Sequence, residues 1–279
     1  VKIILRKKDS GTSIILFIFN IFGELTKQYA IPLKGLIEMM LQFDKNETST
    51  RMGLSRMVKA GILANKKSGD EVVYQLTEYG LENIGIWNSG IAGFFERYRK
   101  RQQDWMRKWS AVALLDFSKS EKGRQAVTDG LTEMGLREIA RNTWICPYQI
   151  PEGIAALAEG EGIRYFAINN GDLGLNFRTA ELLNDIFQVE TIRKEYHGLL
   201  ALLDEISRES SGLKDGDGRH LELLFRLGWN FYDVAVSDPA LPKALLGEWE
   251  GDRAVQEFRR LRAHLYEMAA KYLRAISIK

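Results

Sequence analysis

Cysteine is nearly absent: the 279-residue chain holds one, Cys146. That excludes a disulfide framework and a Cys-based zinc site, and suits a reducing cytoplasm. Histidine is almost as scarce. His197, His220 and His264 stand far apart without metal or triad spacing, and read as surface or packing residues. Long apolar runs are missing too. The longest, Ile14 to Phe22, is broken by Asn20 and falls well short of the roughly 20 residues that span a bilayer. No small-residue cleavage site follows it, so it does not read as a signal peptide. A cytoplasmic protein with no membrane partner is expected. The chain begins at Val1 rather than Met, so at least one residue is expected upstream.

What is present is ordinary in bulk and uneven in detail. With 45% hydrophobic and 27% charged residues, the composition is that of a soluble globular protein. The length suffices for two or three domains. Net charge is +2, but residues 1–85 hold 12 Lys+Arg against 9 Asp+Glu, residues 86–108 hold 6 against 2, and residues 109–279 hold 21 against 26. A basic front and an acidic rear suit a protein that presents one end to a polyanion.

Residues 1–85 read as a winged helix-turn-helix. Ser10 to Phe22 is a buried helix, capped by Ser10 or Thr12 and stopped at Gly23. Pro32 opens a second helix running to about Phe43, and Asp44-Lys45-Asn46 makes the turn. A third helix, about Glu47 to Ala60, ends at Gly61. Two short strands around Ser68-Gly69-Asp70 then form a hairpin, and Thr77 caps the next helix. In this arrangement the third helix enters the major groove. Thr48, Arg51, Met52 and Ser55 are the candidates for base edges; Ser49, Arg56, Lys59, Lys66 and Lys67 are those for phosphates.

Residues 86–108 read as a basic, aromatic connecting helix. Its interleaved rings either stack on nucleic acid or pack, and Arg99, Lys100 and Arg101 are candidates for phosphate contact. Residues 109–175 alternate as strand, helix, paired strands, helix, strand, the order of a ferredoxin-like βαββαβ domain. Asp116 stands at the end of the first strand, where a carboxylate could hold a divalent cation. One carboxylate makes a poor metal site, and Asp129 and Glu133 need not converge on it. Residues 176–279 read as a helical domain, with helices at about 178–210, 217–236 and 252–276. The Gly-rich stretch around Asp215 and Asp217 lacks the spacing of a calcium loop. The chain is thus expected to be a multi-domain α+β protein, not an enzyme, with no cofactor and no metal.

Three stretches together resemble the PaaX family, bacterial repressors of phenylacetate catabolism and related pathways. They are Arg51-Met52-Gly53-Leu54-Ser55-Arg56-Met57-Val58-Lys59-Ala60-Gly61, Thr143-Trp144-Ile145-Cys146-Pro147, and Asp238-Pro239-Ala240-Leu241-Pro242 followed by Leu245-Leu246 and Trp249. The resemblance implies a homodimer on a double-stranded DNA operator, released when an aryl-acyl-CoA of the phenylacetyl-CoA type binds outside the DNA domain. Where the family tends to carry a His-aromatic-Arg cluster, this chain has Trp229-Asn230-Phe231-Tyr232. Trp229, Phe231 and Tyr232 therefore either line an altered effector pocket or pack. Two rival functions stay open: a metal-dependent nuclease using Asp116, and a winged-helix module that binds protein instead of DNA.

Overall fold

The computed structural model describes residues 10–115 and 121–277. It is a mixed structure with two small antiparallel sheets and a helical C-terminal region. The described residues within 1–89, 201–231 and 256–279 form one compact unit, and those within 90–200 and 232–255 form another. Among the described residues no helix is long and apolar enough to cross a membrane.

In the first unit, α1 (Gly11–Thr26) starts where Ser10 Oγ accepts from Ser13 N. Its apolar residues wrap most of the way round, and Ile14, Ile15, Leu16, Ile18, Phe19, Ile21 and Phe22 are all buried. The expected stop at Gly23 is a correction: the helix runs on to Thr26 and ends with Lys27 in the left-handed region, φ 60°. Gly23 has a different task. The Tyr29 ring lies against it so closely that a Cβ there would sit 2.0 Å from Tyr29 Cε1.

Next come β1 (Ala30–Pro32), α2 (Leu33–Leu41), α3 (Glu47–Lys59), β2 (Leu63–Ser68) and β3 (Glu71–Leu76). The sheet order is β1-β3-β2, antiparallel throughout. Strand β1 was not expected; Pro32 both ends it and precedes the first turn of α2. Helix α4 (Glu78–Arg101) then begins with Thr77 Oγ1 accepting from Gly80 N. The core of this unit draws on the C-terminal region. Phe225 meets Phe17 and Phe43 edge to face, with centroids 5.1 and 5.6 Å apart. Arg262 pairs with Glu24, and the Tyr272 hydroxyl donates to Glu38 O.

The second unit is built on β4 (Trp109–Leu114), α5 (Glu121–Glu133), β5 (Arg137–Ala140), β6 (Thr143–Cys146), α6 (Gly153–Gly160) and β7 (Tyr165–Gly171). All neighbours in the order β5-β6-β4-β7 are antiparallel. Alternate residues of a strand face one side, so Val112 and Leu114 join Trp144 and Cys146 in a core closed by Val127, Leu131, Leu136, Ile154 and Ile163. Burial pushes the Cys146 thiol up to about 11, and its Sγ donates to Tyr148 O.

The helix expected at 178–210 is interrupted. A short α7 (Thr179–Glu181) passes into a π-helical turn, Leu182–Ile186, and Gln188 is left-handed at φ 52°. Only then does α8 (Val189–Ser211) begin. The break lets Phe187 bury fully, its ring 5.7 Å from Trp109. Helices α9 (Arg219–Ser237), α10 (Lys243–Leu246) and α11 (Glu250–Ser277) complete the chain.

Candidate nucleic-acid interface

Helix α3 is fixed at its start by Asn46, whose Oδ1 accepts from Ser49 N at 2.9 Å. Ser49 Oγ and Thr50 Oγ1 both donate back to Asn46 O. A helix turns about 100° per residue, which separates the remaining side chains into two faces. Thr50, Leu54 and Met57 are buried, and Gly53 lets α1 approach, since a Cβ there would be 3.2 Å from Ile15 Cδ1. Thr48, Arg51, Met52, Ser55, Arg56 and Lys59 are exposed. Met52, at 56% exposure, is an apolar side chain standing among cations and hydroxyls. Ser49 is half-buried, and its hydroxyl is committed to the cap.

Arg51 does not extend freely. Its Nε donates to Glu47 Oε1 at 2.8 Å, and Nη2 lies 2.7 Å from the same oxygen. Both side chains remain more than half exposed. Beyond α3, Gly61 is left-handed at φ 73° and turns the chain into β2. Lys66 and Lys67 lie within β2, opposite Val73 and Val72, and both are exposed. The two-residue turn Gly69-Asp70 closes the hairpin, with Gly69 at φ 61°. Thr77 Oγ1 donates to Gly61 O at 2.6 Å, fastening the base of the hairpin to the end of α3.

The stretch from residue 94 onward divides differently from its charge pattern. Arg101, a candidate for phosphate contact, is fully buried; this is a correction. Its Nε and Nη2 engage both oxygens of Asp252, and Nη1 donates to Leu241 O at 2.6 Å. Arg99 is exposed, while Lys100 pairs with Glu96. The aromatics here pack on one another, Phe94 against Phe95 and Tyr98, and Trp105 against Trp109. Helix α4 stops at Arg101, short of the expected end at 108.

The segment Ser237–Pro242 is gripped by side chains from five places in the second unit. Arg137 donates to Ser237 O, Arg97 to Asp238 O, Tyr148 to Ala240 O and Arg101 to Leu241 O. Tyr196 donates to Asp238 Oδ2, while Oδ1 accepts from Ala240 N. The last bond folds the turn on itself and holds Ala240 left-handed at φ 53°. Burial lowers the Arg97 guanidinium and takes Arg137 down to about 10; it raises the Tyr148 and Tyr196 hydroxyls. Gly135, at φ 89°, gives Arg97 its room: a Cβ would lie 2.6 Å from Arg97 Cδ.

Two family models match this chain, "PaaX-like protein" over residues 12–80 and "PaaX-like protein C-terminal domain" over residues 187–275. Together they span more than half of its length. The chain belongs to the PaaX family. PaaX proteins are regulators, so the membership places the chain among transcriptional regulators. No curated protein matches the sequence significantly. Among solved structures, the chain is similar in fold to the uncharacterized protein Rv0674 from Mycobacterium tuberculosis. The TM-score is 0.60 at 19% identity, over 96% of this chain and 99% of that one.

The first PaaX match contains α1, α2, α3 and the hairpin; the second contains Tyr196 and the gripped Asp238 turn. Between the matches lie Arg97, Arg101, Arg137 and Tyr148, which no local sequence signal marks as holders of that turn. Of the proposed effector residues, Trp229 is buried with its ring 5.1 Å from Trp87 and 5.6 Å from Phe225. Phe231 is fully buried and stacked on Phe258. Tyr232 lies against Gly90, where a Cβ would be 3.0 Å from its ring, and burial raises its hydroxyl. His220 is buried with Nδ1 3.0 Å from Asp217 O, and His197 is exposed near Glu250. Among the described residues no three His, Cys, Asp or Glu side chains converge as metal ligands. Asp116 lies outside the described residues.

Proposed function

We propose that this PaaX protein is a cytoplasmic, homodimeric repressor that reads a double-stranded operator with α3. The observation that carries the reading is the division of α3. One face is buried, and the other offers Thr48, Arg51, Met52, Ser55, Arg56 and Lys59 to solvent, ahead of a hairpin bearing Lys66 and Lys67. Three helices followed by a two-stranded hairpin support a winged helix-turn-helix within residues 1–85. Arg51, Ser55, Thr48 and Met52 would then meet base edges. Arg56, Lys59, Lys66 and Lys67 would meet phosphates; Ser49 would join them only by giving up the bonds that its N–H and hydroxyl donate to Asn46.

The four-stranded sheet supports a ferredoxin-like domain within residues 109–175. Its order places the second strand beside the third, then the first, then the fourth, with helices after the first and third. Residues 86–108 would connect these domains, and residues 176–279 would supply the helical part. Release by an aryl-acyl-CoA of the phenylacetyl-CoA type completes the reading and rests on the family. The packing of Trp229 and Phe231 gives no support to an effector site at those two rings.

The test is selection from a pool of randomised duplexes, followed by anisotropy titration of the enriched duplex and of a scrambled one. Tight binding of the enriched duplex that weakens on adding phenylacetyl-CoA fits the proposal. Equal affinity for both duplexes would sink operator reading.

A further inference from the structure

We infer that Glu47 is a positioning residue that sets the pose in which Arg51 meets a guanine; the inference rests on α3 being the reading helix. Glu47 is the one acidic residue of α3, at its first turn and one helical turn before Arg51. Its Oε1 takes both Nε at 2.8 Å and Nη2 at 2.7 Å. One edge of the planar guanidinium is therefore occupied, and the edge formed by Nη1 and Nη2 is turned away from the carboxylate. That second edge is a fork of two parallel donors, matched to the O6 and N7 acceptors of guanine in the major groove.

Two alternatives for the carboxylate are weaker. With side chains 53% and 57% exposed, the pair adds little to helix stability. A negative charge on the face that approaches a polyanion also weakens binding to every sequence. In the first turn the Glu47 charge also favours the helix dipole, an effect that Glu47→Gln and Glu47→Ala remove alike. Orientation of Arg51 is separate from that, and fixing a long, flexible side chain before binding lowers the ordering cost at the moment of contact.

Two variants separate charge from orientation. Glu47→Gln removes the charge but keeps an oxygen in reach of Arg51 Nε; Glu47→Ala removes both. Each is put through selection from randomised duplexes and titrated against the wild-type enriched duplex and a scrambled duplex. Both variants should bind the scrambled duplex roughly twofold to fivefold more tightly, having lost one repelled charge. Only Glu47→Ala should lose preference for guanine at the position that Arg51→Ala also relaxes, by about tenfold. Glu47→Gln should keep most of that preference.

Unchanged base preference in Glu47→Ala overturns the inference, and so does equal loss in both variants. An Arg51→Ala protein that retains its guanine preference overturns it as well, while leaving DNA binding intact. A wild-type protein that selects no sequence at all removes the reading on which the inference rests.

Discussion

Tyr196 donates its hydroxyl to Asp238 Oδ2 at 2.6 Å, and neither side chain reaches solvent to any useful extent. A buried carboxylate needs such partners, because an acceptor left empty keeps its full desolvation cost. Tyr196→Phe removes this one bond and leaves the ring in place beside Trp249, 5.7 Å away. We expect a loss of about 1.5–3 kcal/mol, read as a lower urea midpoint with an unchanged slope. A change under about 0.5 kcal/mol would mean that the carboxylate is satisfied without Tyr196.

Arg101 carries more. It holds Asp252 with two nitrogens and caps Leu241 O with the third. Replacing it by Met leaves Asp252 with the Gln102 amide alone and Leu241 O without its donor. With Asp252 partly exposed, the loss should fall near the lower end of the buried-pair range, about 3 kcal/mol. Lysine keeps the charge but lacks the planar fork, so Arg101→Lys should fall between. Adding Asp252→Asn to Arg101→Met should restore part of the loss. Purely additive effects in denaturant titrations would refute the pairing as the cause.

What could be read from the chain was what local chemistry decides. Pro32, Asn46, Gly61 and Gly69 punctuate the first 85 residues, and each sits at the junction its residue type favours. The apolar run from Ala111 likewise marked a strand, though it reads as buried on both faces, whereas in the fold Val112 and Leu114 are buried and Ala111 and Ala113 only partly so. The misses have non-local causes. Strand β1 has three residues and exists by pairing with β3, more than forty residues away. The break before α8 goes with the burial of Phe187 beside Trp109, far away in the sequence. At the candidate interface, the helical period shows which residues of α3 face outward. The i, i+4 spacing of Glu47 and Arg51 allows the pair, but it does not show which edge of the guanidinium the carboxylate takes. The Asp238 turn stood out in the sequence, but its holders are scattered from Arg97 to Tyr196, and Arg101 looked like a surface cation within a basic run.

Gly23 gives opposite predictions from two principles. Inside a helix, Gly to Ala normally stabilises by about 1 kcal/mol. Here the added Cβ would fall 2.0 Å from the Tyr29 ring, and overpacking of that kind costs typically 1–3 kcal/mol. The clash involves a whole ring rather than a flexible chain end, so it should win. Gly23→Ala is expected to lower the thermal midpoint. A rise would show that Tyr29 swings away freely.

Cys146 links burial to pH. Burial pushes its thiol up to about 11 in the fold, from an ordinary value of 9.0. Between those values the unfolded chain gives up a proton that the folded chain keeps, so stability must fall as pH rises. The loss starts near pH 9, and the full two-unit shift corresponds to at most about 2–3 kcal/mol. Arg137, lowered to about 10, acts with the opposite sign above that pH, so the informative window closes there. Urea midpoints between pH 8 and 10 should decline less steeply in Cys146→Ala than in wild type. In the native protein at pH 8 the thiol should react with a disulfide reagent only through opening.

The proposed interface predicts two kinds of DNA defect from two kinds of cation. Arg51 stands on the outward face of α3, where a fork of donors can distinguish one base from another. Arg51→Ala should therefore weaken the selected duplex by about 1–3 kcal/mol and relax the preference at one position. Lys67 lies on β2, exposed, and offers a point charge without a fork. Lys67→Ala should weaken selected and scrambled duplexes alike, because a phosphate contact carries no base information. It should also reduce the slope of log affinity against log salt by about one. The decisive measurement is the pair of salt titrations, one for each variant on each duplex. A salt slope unchanged in Lys67→Ala would remove the hairpin from the interface, and a uniform defect in Arg51→Ala would reduce α3 to an electrostatic contact.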